Sequence, residues 1–336
     1  MDGRVSAAGR SMREADLPTL PEQRAPAGKQ VVLGAGGAIA RATQDALVAR
    51  GLDVLAIGHA QADARNPAAL LPYLTGATHV YLCIGLPYSA AVWERDWPAI
   101  LRAVLSGCKA VGARLVFFDN IYLYGPPPLG QPITEDHLQQ PTTRKGRVRK
   151  EIVDQALAAH RQGRVPAVIG RSADFYGPGA VNSPFYIRFL EHLLAGKPPQ
   201  TLMPNGPVHT WAYTRDCGRA LVELGLDPQA YGEAWHLPVG DPVTVEDMGD
   251  YFRQTLKRDF AISYVSPRMT RLLARVSRTI REVSEMGFQF EQDYVLDWQR
   301  FSRRYPDFRV TPYDVGVDAM VDYFLAQQQQ VNRVTS

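Results

Sequence analysis

The stretch QVVLGAGGAIARATQDALVARG, residues 30–51, constrains this chain more than any other. An apolar run ends on Gly34, small residues recur three apart at Gly37 and Ala40, and a helical pattern with Leu47 and Val48 inward starts at once, stopping at Gly51. A strand must hand over to a helix there within a few residues. The same hand-over repeats downstream. DVLAIG (53–58), ATHVYLCIG (77–85), ARLVFFDN (113–120) and VPAVIGR (165–171) are continuous apolar runs, with helical stretches around 93–106 and 147–160 between them. Strands that do not alternate, separated by helices, predict a parallel sheet covered on both faces, with ligands at the carboxyl ends of its strands.

The expected fold class is therefore α/β, a doubly wound parallel sheet over residues 29–180. Past 180 the alternation loosens. PFYIRFLEHLLAGK (184–197) reads as a helix, AWHLPVG (234–240) as a strand, and TVEDMGDYFRQTL (244–256) as a helix capped by Thr244. Helices over 268–286 and 314–328, with a short strand DYVLDW (293–298) between them, complete a smaller substrate lobe over 181–330. Residues 1–28, rich in Ala, Arg, Pro and Glu, read as a disordered arm.

Composition narrows the partners. With 336 residues, 46% hydrophobic and 21% charged, the chain can bury a sizeable core. Its 37 basic against 34 acidic residues leave no broad field for nucleic acid or an acidic membrane, and no run is long enough to span a bilayer. Cys83, Cys108 and Cys217 are odd in number and lack metal-ligand spacing, so neither a disulfide framework nor a metal site is expected, and a reducing cytoplasm fits. A small-molecule substrate is the expected partner. The oligomeric state stays open, a homodimer being one option.

At a strand-to-helix turn, the spacing of Gly34, Gly37 and Ala40 lets backbone N–H groups and the positive helix end meet a pyrophosphate. The loop is thus read as a dinucleotide site. Together with FFDNIYLYGPP (117–127) and GRSADFYGPG (170–179), it makes the chain resemble the extended short-chain dehydrogenase/reductases of the NAD-dependent epimerase/dehydratase family over residues 29–325. That resemblance implies a Rossmann-like domain. It implies cofactor contacts from Gly34, Ala35, Gly37, Ala38, Ile39 and Arg41, and an adenine contact from Asp63. Strand two ends in Gly58 and His59 without an acid to bind a ribose, and Arg41 follows the loop, so NADP(H) is favoured over NAD(H).

The family's Tyr-x-x-x-Lys pair falls on Gly146 and Lys150, and its Ser/Thr position on Asn120. Two of three catalytic side chains are thus replaced. Lys150 is expected on the cofactor ribose, since Val148, Ile152 and Ala156 would turn that region inward. The missing acid is assigned to Tyr122, two residues past Asn120, with Asp174 and His209 as substrate-facing alternatives. Asp119, Tyr124 and Tyr176 lie close in sequence to the same strand ends. Asp174 stands where the family has an asparagine near the substrate diphosphate in sugar epimerases, so a nucleotide-diphosphate sugar is not expected as substrate. The main expectation is an NAD(P)-dependent oxidoreductase reducing a carbonyl, imine or enone. The alternatives are a redox-neutral isomerase, epimerase or dehydratase, and a non-catalytic nucleotide sensor.

Overall fold

The computed structural model describes residues 28–265, 270, 275 and 277–335; the expected arm lies, except for Gly28, outside them. Ten strands are described: β1 (Lys29–Leu33), β2 (Val54–Ile57), β3 (Ala77–Leu82), β4 (Arg114–Asn120), β5 (Ala167–Ser172), β6 (Phe175–Tyr176), β7 (Gln200–Thr201), β8 (Ala212–Tyr213), β9 (Ala234–His236) and β10 (Ser263–Tyr264). The described helices are α1 (Ala38–Ala49), α2 (Pro67–Leu74), α3 (Ala90–Val111), α4 (Arg144–Arg161), α5 (Glu191–Leu194), α6 (Thr214–Leu226), α7 (Val245–Leu256), α8 (Arg278–Ser284), α9 (Gln299–Arg304) and α10 (Tyr313–Thr335).

Six strands form one sheet in the order β2-β1-β3-β4-β5-β9, and every pairing is parallel. Val31, Val32, Val80, Leu82, Leu115, Phe117, Val168 and Ile169 are all buried, as continuous apolar strands between two helical layers require. From β2 the chain crosses back over β1 to β3, so direction switches between β1 and β3 and a crevice opens at their carboxyl ends. Gly34 and Cys83 flank it.

Helix α1 packs on α6 with the two backbones almost touching. A Cβ at Gly218 would lie 2.4 Å from the Ala42 carbonyl carbon, so only glycine permits that approach. Leu47 is buried as expected, but Val48 is 61% exposed. Two adjacent residues on a helix point about 100° apart, and α6 covers only the Leu47 side. The N-cap expected at Thr244 is present, and Asp247 completes it as a capping box.

The second lobe departs further from the periodicity. The segment expected as a helix over 184–197 breaks at Ile187 and Arg188, whose backbones leave the helical region, and only α5 continues. Phe185, Phe189, Leu190 and Leu193 are buried with Trp211, Met248, Phe252 and Phe324. Burying these side chains outweighs a regular helix. DYVLDW is extended but pairs only through isolated bridges, Tyr294 with His209 and Leu296 with Ile133. Of the helix expected over 268–286, α8 is seen and most of the rest lies outside the described residues. Past residue 180, α6 and β9 return to the main sheet, β9 pairing with the open edge of β5.

Candidate active site

The crevice between β1 and β3 is shaped to receive a dinucleotide. Gly34 has φ +100°, and a Cβ there would lie 2.7 Å from the Cys83 carbonyl oxygen. Gly34 and Ala35 anchor the turn by donating to the Ile57 carbonyl at 2.8 and 3.1 Å. Gly37 begins α1, and no side chain caps that first turn. Its N–H groups are therefore suited to a pyrophosphate, and Gly36, with open space around it, leaves room. Ile39 is buried, so from there only backbone can reach a ligand. The residues present fit the group.

Two flanking residues are held by their neighbours. The Arg41 guanidinium bonds the Tyr323 hydroxyl on α10 and lies 3.6 Å from the Cβ position of Gly179, on the second lobe's side of the loop. Gly58, at the end of β2, instead neighbours Ala35. Arg41 is thus held on the second lobe's side of the loop. Asp63 is gripped by Arg65, which also reaches Asp96; this holds its carboxyl below the usual range.

On α4 the buried face carries Lys145, Val148, Arg149, Ile152 and Ala156. Lys150 lies on the flank and closes an ion pair with Asp154 at 2.6 Å. The apolar spacing was right, but one helical position turns Lys145 and Arg149 inward in place of Lys150. Gly146 is not the floor of a hollow left by a tyrosine. A Cβ there would sit 2.4 Å from the Tyr122 carbonyl oxygen and 2.7 Å from the Pro141 Cβ, so backbone fills that place. The hydroxyl of Thr143 caps this turn, accepting from the Gly146 N–H at 3.0 Å.

At the end of β4, Asp119 is completely buried and accepts from Arg149 at 2.7 Å and Arg171 at 3.3 Å. Arg171 also donates to the Tyr124 hydroxyl at 2.9 Å, and that oxygen lies 2.6 Å from the His236 Nε2. The His236 Nδ1 meets the Asp297 carbonyl at 2.7 Å, which can only accept, so Nε2 takes the Tyr124 proton. Burial pushes the Tyr124 phenol up to about 12 and the imidazole down to about 3. Asp119 and Tyr124 are therefore structural. Tyr176 is buried against Tyr213 and Tyr313. The side-chain oxygen of Asn120 accepts from the Tyr122 N–H at 3.1 Å, shaping the turn.

Beyond β5 the environment reverses. Asp174 is half-buried, its carboxylate has no hydrogen-bond partner among the described residues, and burial alone raises its pKa to about 6. Its negative field reaches Tyr88, Tyr122 and Tyr294, from three different segments. Tyr122 stacks on Trp93 at 6.2 Å between ring centres, and its hydroxyl lies 3.3 Å from that of Tyr88. Desolvation, then the charges and hydrogen bond around it, push the Tyr122 phenol well above its usual value. That makes it a poor proton source but a good neutral donor. His209 is buried in a stack with Trp211, Phe290 and Tyr294, and desolvation lowers it to about 4. It is neutral at physiological pH.

Three residues escaped the sequence reading: Tyr88, Lys145 and Tyr294. Tyr88 follows β3 at the crevice rim, and the Lys145 ammonium lies 4.6 Å from its ring centre. Lys145, fully buried, is held by Glu282 at 2.6 Å and Glu285 at 2.7 Å from the second lobe. Glu282 also accepts from the Ala90 N–H at the start of α3, and Glu285 from the Arg144 and Lys145 N–H groups at the start of α4. Two carboxylates on two helix N-termini and a lysine tie α8 to the crevice wall. A strand-end turn could have flagged Tyr88; nothing local marks the other two. No cluster of metal-ligating side chains occurs, and no helix is long and apolar enough to cross a membrane, among the described residues.

A parallel sheet with a switch-point crevice, a glycine turn and an uncapped helix N-terminus defines the dinucleotide-binding Rossmann class. Within it, residues 30–237 match the model of the NAD dependent epimerase/dehydratase family, and the chain belongs to that family. No curated protein sequence matches it. Among solved structures it is similar to UDP-glucuronic acid 4-epimerase from Bacillus cereus in complex with NAD, at 17% identity over 89% of this chain and 99% of that one, TM-score 0.70. It is also similar to a GDP-L-fucose synthetase from Naegleria fowleri bound to NADP, at 14% identity over 94% and 98%, TM-score 0.71. An epimerase from Methanothermobacter thermautotrophicus aligns at 14% identity over 91% and 95%, TM-score 0.77.

Proposed function

We propose that this chain catalyses an NAD(P)-dependent, redox-neutral change at a hydroxyl-bearing carbon of a small metabolite, an epimerisation or dehydration, with Asp174 as the acid–base group. The observation that carries the reading is Asp174 itself, a carboxylate just past a strand end with no hydrogen-bond partner among the described residues and a pKa of about 6, where proton transfer at neutral pH is most efficient. Membership of an epimerase/dehydratase family supports redox-neutral chemistry over the net carbonyl reduction expected from the sequence.

In this reading the glycine turn and the start of α1 hold the pyrophosphate, and the bound nucleotide supplies a transient hydride store. Asp174 takes the proton of the substrate hydroxyl and later returns one. Tyr122 stays protonated and hydrogen-bonds the reacting oxygen, which revises its role from acid to donor. Lys150 is left outside the machinery, and Asn120 shapes the turn that presents Tyr122. NADP(H) remains favoured, on one ground only: the Gly58 N–H is met by Gln61, and no acid from residues 58–61 opposes a 2′-phosphate. A nucleotide-diphosphate sugar would bring its charge toward Asp174, so an uncharged hydroxylated substrate fits better.

The test is incubation with oxidised nucleotide and a panel of hydroxylated metabolites, UDP-glucose and UDP-glucuronate included, followed by NMR. The expected result is an isomerised or dehydrated product without accumulation of reduced nucleotide. Asp174→Asn should lower turnover by about 10²–10⁴-fold. Stoichiometric NAD(P)H formation would overturn the redox-neutral reading, and near-normal turnover in Asp174→Asn would remove the assigned base. NADPH should bind more tightly than NADH, with the ratio unchanged in Arg41→Ala.

A further inference from the structure

We propose that α8 belongs to the candidate site, and that Glu282, Glu285 and Lys145 are positioning residues that set the place of Tyr122 through an aromatic wall. The inference rests on Tyr122 being the donor to the reacting oxygen. It begins with the Lys145 ammonium, which is fully buried. That group has three protons, and it meets three acceptors from the second lobe: the Glu282 carbonyl at 3.0 Å, the Glu282 Oε2 at 2.6 Å and the Glu285 Oε2 at 2.7 Å. It also lies 4.6 Å from the centre of the Tyr88 ring.

The same two carboxylates hold the helices on which the wall stands. The Glu282 Oε2 accepts from the Ala90 N–H at 2.8 Å at the start of α3, and the Glu285 Oε1 accepts from the Arg144 and Lys145 N–H groups, the latter at 3.2 Å, at the start of α4. One lysine balances one carboxylate, and two positive helix ends balance the other. Each of these first turns touches Tyr122. Trp93, on the first turn of α3, stacks on its ring at 6.2 Å between centres and 12° between planes. Gly146, on the first turn of α4, lies so near its carbonyl that a Cβ would stand 2.4 Å from the oxygen. Tyr88, just before α3, is set nearly perpendicular to both Trp93 and Tyr122, its hydroxyl 3.3 Å from that of Tyr122.

A shift of α8 thus reaches Tyr122 by three routes, through Tyr88, Trp93 and Gly146. Stability alone does not call for charges at this junction. Apolar side chains of similar volume pack as favourably as a buried ion pair, whose partners must both be stripped of water. What the charges add is fixed distance and direction. A buried lysine separated from its glutamates is heavily penalised, so the two first turns and the Tyr88 ring are kept in register with α8.

The experiment labels the full chain with fluorotyrosine and follows the fluorine NMR signals of Tyr88 and Tyr122, each assigned by its loss in Tyr88→Phe or Tyr122→Phe. Glu282→Leu, which removes the acceptor shared by Ala90 and Lys145, should shift and broaden both signals. Glu282→Gln keeps an acceptor there and should return the Tyr122 signal most of the way to its wild-type position. Lys145→Met, which keeps the buried stem and removes the charge, should also displace both signals, and it carries the test if Glu282→Leu fails to fold. On a substrate that the wild type turns over, Glu282→Leu should lower kcat by about ten- to a hundredfold with nucleotide affinity kept, as misplacement of a reacting group does. An unchanged Tyr122 signal in folded Glu282→Leu or Lys145→Met overturns the inference, and so does a Glu282→Gln spectrum that matches Glu282→Leu. Near-normal kcat in Tyr122→Phe overturns the donor reading instead, whatever the fluorine signals do, so the two failures are distinct.

Discussion

Asp119 and Asp174 close two neighbouring strands, β4 and β5, and meet opposite fates. Asp119 pairs in register with Arg171 and is gripped from α4 by Arg149, so both its oxygens are neutralised within the core. Asp174 lies two residues beyond its strand, past the reach of either arginine, among phenols. The first aspartate is worth its charge to the fold; the second carries a charge the fold would be more stable without. An acid–base group needs that second condition, because a carboxylate whose oxygens are both taken up by buried arginines has none left to meet a substrate hydroxyl.

The largest expected effect breaks the first half of this comparison. Asp119→Ala leaves Arg149 and Arg171 buried without their counter-ion, and should cost about 3–5 kcal/mol in denaturant unfolding. A cost under about 1 kcal/mol would mean that the arginines find other partners.

Asp174→Asn should do the reverse. The folded-state pKa of Asp174, about 6, lies above its reference of 3.8, so its contribution is fully present below about pH 4 and lost as pH rises through 6. Asparagine should therefore stabilise the protein by about 1–3 kcal/mol at pH 7.5, with the gain gone at pH 4. His209 and His236 act on the same window with opposite sign. Their folded values of about 4 and 3 lie below 6.5, so stability is lost as pH falls below 6.5. Melting temperature against pH should hence fall more steeply on the acid side in Asp174→Asn than in the wild type. Parallel profiles would contradict the assignment.

Gly146→Ala sharpens the contrast at the start of α4. Its methyl would meet the Tyr122 carbonyl and Pro141, and should cost about 1–3 kcal/mol, with Tyr122 displaced and nucleotide affinity kept. The smallest effect belongs to Lys150→Ala, at the outer flank. Its pairing with Asp154 is half-exposed, so the change should stay within about 0.5 kcal/mol and leave nucleotide affinity unaltered. A tenfold loss of NADP(H) binding would return Lys150 to the ribose.

Much of the sheet was legible because its signals are local. A continuous apolar run between helical stretches marks a strand of a covered parallel sheet, and the five longest strands all fall where such runs stand. The glycine turn was equally plain, since its chemistry needs small residues at fixed spacing within a few positions. The second lobe was less so. An aromatic-rich segment such as 184–197 follows its partners, here Trp211 and Phe252, more than its own period.

The sequence alone determined the sheet, its parallel sense, the cofactor crevice and the absence of a tyrosine at residue 146, because each follows from neighbours along the chain. Tertiary structure decided which charges are spent on the fold and which stay free. Lys145 and Arg149 are buried, while Lys150, read as inward, lies on the flank. The difference is a rotation of one residue about α4 and the arrival of Glu282 and Asp119 from elsewhere in the chain. Whether a carboxylate is held or available depends on counter-charges that are distant in sequence, and only packing brings them within a few ångströms or leaves them out.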